Sequence, residues 1–167
     1  MGFFNKIFQK SQDTAEKKAS TPDYTAEEML EQAKAYKAHE PEQAFKYFLK
    51  AAEMGNSEAM ANVGYSYLYK GQGAPFDIQK SVYWYNKAAS KGYAKSMIMT
   101  AWFYMAGIGA PQDDSKAIEW LKRAAQNGDE KTVAIANKEL NDFEQTKFTV
   151  TSLLTVAVEM EGIPPKN

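Results

Sequence analysis

Apolar residues fall along this chain in a helical stripe that is written three times. Ala44, Tyr47, Phe48, Ala51 and Ala52 stand at i, i+3, i+4, i+7 and i+8, the spacing that gathers side chains on one face of an α-helix. Ser81, Trp84, Tyr85, Ala88 and Ala89 repeat it, and Ala117, Trp120, Leu121, Ala124 and Ala125 repeat it again. Large side chains alternate with alanine, so neighbouring helices can interdigitate. Between these stripes lie helices with a different signature: a small residue followed three places on by tyrosine. The pairs are Ala33 and Tyr36, Gly64 and Tyr67, and Ala101 and Tyr104. The small residue admits a neighbouring backbone, and the tyrosine one turn later fills the space beside it.

The punctuation recurs in step. Gly71-Gln72-Gly73-Ala74-Pro75 and Gly107-Ile108-Gly109-Ala110-Pro111 lie 36 residues apart, and Asp77 and Asp113 follow each as N-caps. The paired glycines supply positive φ in the return loop, and the prolines stiffen it. Gly55, Gly92 and Gly128 fall where left-handed C-caps are wanted. His39-Glu40-Pro41 ends one helix and opens the next, with proline at a first helical position. A period of this length denotes stacked helix pairs, because one pair cannot bury its apolar face alone. The expectation is an all-α solenoid of eight or nine helices, built over residues 24–143.

The ends depart from the period. Phe3, Phe4, Ile7 and Phe8 make a short amphipathic segment, and a polar linker completes residues 1–23. A segment this short is marginal as an isolated helix, so it docks on something or stays unstructured. After Gly128 the pattern decays: Asn137 and Leu140 replace the small residue and tyrosine. Residues 149–160 are rich in β-branched side chains, which is compatible with strand. A capping helix from about Glu144 to Glu161, closing residues 144–167, fits the need of a solenoid for an atypical end.

Composition narrows the function. The chain has 167 residues, 44% hydrophobic and 25% charged, as in folded proteins. Its net charge of −1 offers no bulk field for nucleic acid. There is no cysteine, hence no disulfide framework and no thiolate site. No apolar run is long enough to span a bilayer, and the first residues lack the apolar centre of a signal peptide, so the sequence reads as cytoplasmic. His39 is the single histidine and has no nucleophile pattern around it. The glycine loops follow helices and lack the third glycine of a dinucleotide loop. No metal-ligand spacing is present either. The expectation is a protein without catalytic, cofactor or metal residues.

The segment Ala44…Tyr47…Lys50-Ala51-Ala52…Gly55, continued by Ala59…Val63-Gly64…Tyr67…Gly71-x-Gly73…Asp77…Lys80, resembles the Sel-one-like repeat (SLR) family. Two complete and two partial copies cover about residues 25–143. The resemblance implies antiparallel helix pairs in a right-handed superhelix, related to tetratricopeptide arrays, with adaptor roles through protein–protein contacts. Some bacterial members carry a cysteine pair in each repeat; this chain does not. Short bacterial members also occur as immunity proteins that neutralise a toxin. In related solenoids the first helix of each pair lines the concave side. That places Lys34, Tyr65 and Trp102 in the groove, Glu31, Asn62 and Met99 one turn earlier, and Tyr69 and Met105 as flanks. The implied role is a module that binds a protein partner through this strip. An immunity protein and a membrane-surface adaptor anchored by residues 3–8 are the alternatives.

Overall fold

A computed structural model describes residues 24–145, in which seven helices follow one another: α1 (Ala26–Tyr36), α2 (Pro41–Glu53), α3 (Ser57–Leu68), α4 (Ile78–Ser90), α5 (Ala94–Ala106), α6 (Asp114–Asn127) and α7 (Glu130–Gln145). No strand occurs among the described residues. Each helix packs on the one before and the one after it, and α5 also touches α7. This is the neighbour-only contact order of a helix-pair solenoid. The expected segments at 3–8 and 144–161 fall wholly or largely outside the described residues.

The three stripes form the interior, but unevenly. Ala44, Phe48, Ala51, Ala52, Ser81, Tyr85, Ala88, Ala89, Ala117, Leu121 and Ala124 are buried. Tyr47, Trp84 and Trp120, expected to share that role, are only half-buried at the edge of the stripe. Tyr47 stacks on Tyr36 with centroids 5.6 Å apart. Lys87 lies 4.9 Å from the Trp84 ring centroid, and the Arg123 guanidinium covers Trp120 at 4.2 Å. The aliphatic and cationic parts of these long side chains shield what the helices leave open.

The helices end by the means their residues supply. At Gly55 (φ 102°) and Gly92 (φ 93°) the glycine N–H donates to Ala52 and Ala89, and the next N–H to Ala51 and Ala88. That is the Schellman arrangement, which satisfies otherwise orphaned carbonyls. Gly128 departs from expectation. Its φ of −83° and ψ of 165° are extended, because Asp129 caps α7 at once through Thr132 N–H, 2.8 Å away. Glycine is required there for closeness: a Cβ would lie 2.8 Å from that of Thr132 and 2.9 Å from the Ala124 carbonyl oxygen.

The two long return loops superimpose in their chemistry. Asp77 N–H donates to the Tyr67 carbonyl and Asp113 N–H to that of Tyr104, at 2.9 and 3.0 Å. Each aspartate caps its helix, accepting from Lys80 N–H or Lys116 N–H, and pairs with the same lysine's ammonium. Those ammoniums in turn sit 5.3 Å from the Tyr67 ring and 5.4 Å from the Tyr104 ring. The capping N–H bonds, then the lysine bonds, hold both carboxyls below the usual carboxylate range. Gly71 lies seven positions after Gly64, one more than Gly107 lies after Ala101. The extra one is absorbed at Tyr69, which leaves the helix in extended backbone, whereas α5 runs on to a left-handed Gly107.

Candidate functional site

The first helices of successive pairs, α1, α3, α5 and α7, line one face of the stack. Two hollows open along it. The smaller, of about 190 Å³, lies between α3 and α5, floored by Tyr65, Tyr85, Tyr93 and Met99 and rimmed by Lys37, Asn62 and Lys95. The larger, of about 380 Å³, lies between α5 and α7, with Ile98, Met99, Trp102 and Ile135 as its apolar surface and Lys95 and Lys131 at its rim. Lys95 and Met99 belong to both, so the hollows form one trough.

Helical geometry explains the lining. Residues that follow a buried small residue are turned about 100° from it. Ala33, Gly64 and Ala101 point inward, and Lys34, Tyr65 and Trp102 therefore turn towards the open side. Lys34 is held by Glu31 and Glu58, each at 3.0 Å, and these bonds raise its pKa, that of Glu58 first. Asn62 donates from Nδ2 to the Glu58 carbonyl and accepts from Lys37 Nζ, both at 3.0 Å. The Lys37 ammonium lies 5.0 Å from the Tyr65 ring centroid, and Tyr65 tilts against half-buried Tyr69 at 4.6 Å. Trp102 donates from Nε1 to Glu139 Oε2 on α7 at 3.1 Å, which fixes its indole across the larger hollow.

Of the expected strip, the structure brings Asn62, Tyr65 and Met99 to the smaller hollow and Met99 and Trp102 to the larger. Tyr65 and Trp102 thus stand in adjoining hollows, with Met99 between them. Lys34 is exposed but faces its own carboxylates. Met105 does not flank the groove. It is 1% exposed and packs with Met97, Ala101, Ala117 and Leu121. Lying four residues after Ala101 and eight after Met97, it shares their inward stripe.

Several lining residues were missed. Lys37 sits one turn after Lys34, so helical spacing pointed to it. Lys95 and Lys131 occupy one register position, the second residue of a first helix, where the earlier repeat has Glu58. Tyr85 and Tyr93 come from α4 and the α4–α5 turn, reached only by knowing how the pairs stack. Burial pushes both phenols above their ordinary pKa. Among the described residues, no group of three or more His, Cys, Asp or Glu side chains converges as for a metal ion. His39 is exposed.

Fold and face together define an α-solenoid of repeated helix pairs with a trough along its first helices. The Sel1 repeat matches residues 30–56, 57–93 and 94–129, and the chain belongs to the Sel1 repeat family. A Sel1 repeat protein from Oxalobacter formigenes has a similar structure, with TM-score 0.61 and 31% identity over 70% of this chain and 88% of that one. The fold is shared with c5321, a protective antigen of uropathogenic Escherichia coli with an SLR fold (TM-score 0.64, 23% identity). That match covers 85% of this chain and 33% of the antigen, so this chain spans about a third of it. Cysteine rich protein B of Helicobacter pylori is similar at TM-score 0.51 and 20% identity, over 68% of this chain and 99% of that one. No protein of curated function matches the chain. Sel1 repeat proteins generally mediate protein–protein interaction.

Proposed function

We propose that this protein is a non-catalytic interaction module that takes a protein partner along the concave face formed by its first helices. One observation carries the reading: half-exposed Tyr65, Met99, Trp102 and Ile135 line a single trough, in a family whose members generally bind proteins. Aromatic residues and methionine are enriched at protein interfaces, and large rings give contact area at low entropic cost. The trough is also pre-formed. The Trp102–Glu139 bond and the Lys37–Asn62 bond hold its walls in place before anything enters.

The test is affinity capture from the native lysate with wild type, Met99→Glu and Tyr83→Ala proteins. Met99 lies at the waist of the trough, and Tyr83 is exposed on α4, outside its lining. A specific protein retained by wild type and Tyr83→Ala, and lost with Met99→Glu at unchanged melting temperature, supports the assignment. A partner retained by all three, or lost with Tyr83→Ala alone, places binding elsewhere.

A further inference from the structure

We propose that the occupant of this trough is an extended acidic segment of the partner, with carboxylates set around an apolar anchor; this rests on the reading that the face binds protein. The side chains lining the two hollows include three lysines, Lys37, Lys95 and Lys131, and no carboxylate. The chain as a whole carries −1, so the lining itself is more cationic than the chain average, with the nearest carboxylates standing outside it. The carboxylates around the trough are already engaged. Glu31 and Glu58 hold Lys34, Glu139 accepts from Trp102, and Asp129 accepts from both N–H and Oγ1 of Thr132. The lysines are not comparably satisfied. Lys37 bonds only neutral Asn62 and lies against Tyr65, Lys95 reaches Asp129 at 3.7 Å with both groups exposed, and Lys131 has no ion pair among the described residues. Ser96, fully buried in the wall of the smaller hollow, has no hydrogen-bond partner for its hydroxyl among the described residues.

The occupant is a peptide rather than a single-stranded nucleic acid. Nucleic acid grooves need open aromatic faces on which bases stack. Here the Tyr65 ring has Lys37 above it and Tyr69 against it, and Trp102 is held by Glu139. Met99 and Ile135, backed by buried Ile98, offer an aliphatic surface that suits a leucine or phenylalanine side chain. Lys37 stands just past the end of α1, Lys95 on α5 and Lys131 on α7, so the ammoniums are spread along the face, as carboxylates are along an extended backbone at about 3.3 Å per residue.

A phage-displayed library of random dodecapeptides, selected on the whole chain, tests this, with the selected sequences remade as fluorescent peptides. The expected selection is rich in Asp and Glu around one large apolar residue. Each exposed pair is worth about two- to threefold in affinity, so Lys37→Gln, Lys95→Gln and Lys131→Gln together weaken binding by about eight- to thirtyfold. The control triple Lys46→Gln, Lys50→Gln and Lys122→Gln, on the second helices, leaves it unchanged, and both triples melt as wild type does. Binding also weakens as salt rises. Selected peptides that lack acidic residues yet are lost with Met99→Glu overturn this inference and leave the protein-binding reading standing. A selection that yields no peptide overturns the inference alone, since capture of a folded partner in the lysate experiment still decides the broader reading. Tighter binding of a twelve-nucleotide oligothymidylate than of any peptide overturns both.

Discussion

Gly64 on α3 and Tyr85 on α4 touch so closely that the tyrosine ring occupies the place of a side chain. A Cβ on Gly64 would lie 2.8 Å from Cδ2 of that ring and 3.0 Å from Cε2. The ring also meets Phe103 of α5, at 5.8 Å between centroids, so it cannot simply swing away. Gly64→Val is therefore expected to lower stability by about 1–3 kcal/mol through overpacking. The control is a double-mutant cycle with Tyr85→Leu. Coupling of about 0.5 kcal/mol or more between the two sites is expected in denaturant melts. Additive costs would show that the glycine is not shaped by the ring.

The two glycines of the first return loop should behave differently. Both have positive φ, 75° at Gly71 and 86° at Gly73. A side chain at Gly71 meets nothing within 4 Å, whereas one at Gly73 would drive into the Pro41 carbonyl that opens α2. Gly71→Ala is expected to cost only the left-handed strain, about 1–2 kcal/mol. Gly73→Ala should cost clearly more, because backbone must move. Equal thermal midpoints for the two variants would contradict the loop packing.

Met99 and Met105 lie on the same helix with opposite fates. Met105→Ala removes a buried side chain and is expected to cost about 2–5 kcal/mol. Met99→Ala, half-exposed in the trough, should cost well under half as much in the same melts. A reversal of that order would put the trough on the wrong side of α5.

Acid should loosen the loops through Asp77 and Asp113. Both carboxyls titrate below the ordinary aspartate value in the folded protein, by capping bonds to Lys80 N–H and Lys116 N–H first. A depressed folded pKa contributes stability that is present above the unfolded value, about 3.9, and is lost as pH falls through the folded one. Wild type should thus lose stability below about pH 4. The double variant Asp77→Ala, Asp113→Ala should be less stable at pH 7 and lose less between pH 5 and pH 3. Parallel pH profiles would exclude these two caps as the cause.

The helices and turns were legible in the sequence because each local signal agreed with its copy one period away. Asp77 and Asp113, or Ala88 and Ala124, constrain each other more than either constrains itself. The trough was legible only along one helix at a time. Tyr65, Asn62, Met99 and Trp102 follow from the rotation past Gly64 and Ala101. Lys95, Lys131 and Tyr93 reach the same space from neighbouring elements, and that depends on how pairs stack. Met105 was misplaced because matching it with Tyr69 ignored the extra residue in the α3 turn, which breaks the register at that point. Gly128 was misread for a different reason. Its glycine answers the closeness of Thr132, a contact set by α7 beginning immediately, and composition carries no sign of that.

The most direct measurement is site-specific photocrosslinking in the cells that make the protein. A benzoylphenylalanine in place of Trp102 reports on the trough, and one in place of Tyr83 reports on the exposed side of α4. A discrete protein adduct from position 102, with none from position 83, is the expected result. Adducts from position 83 alone, or none from position 102 in a protein that melts normally, would contradict the assignment of binding to the first-helix face.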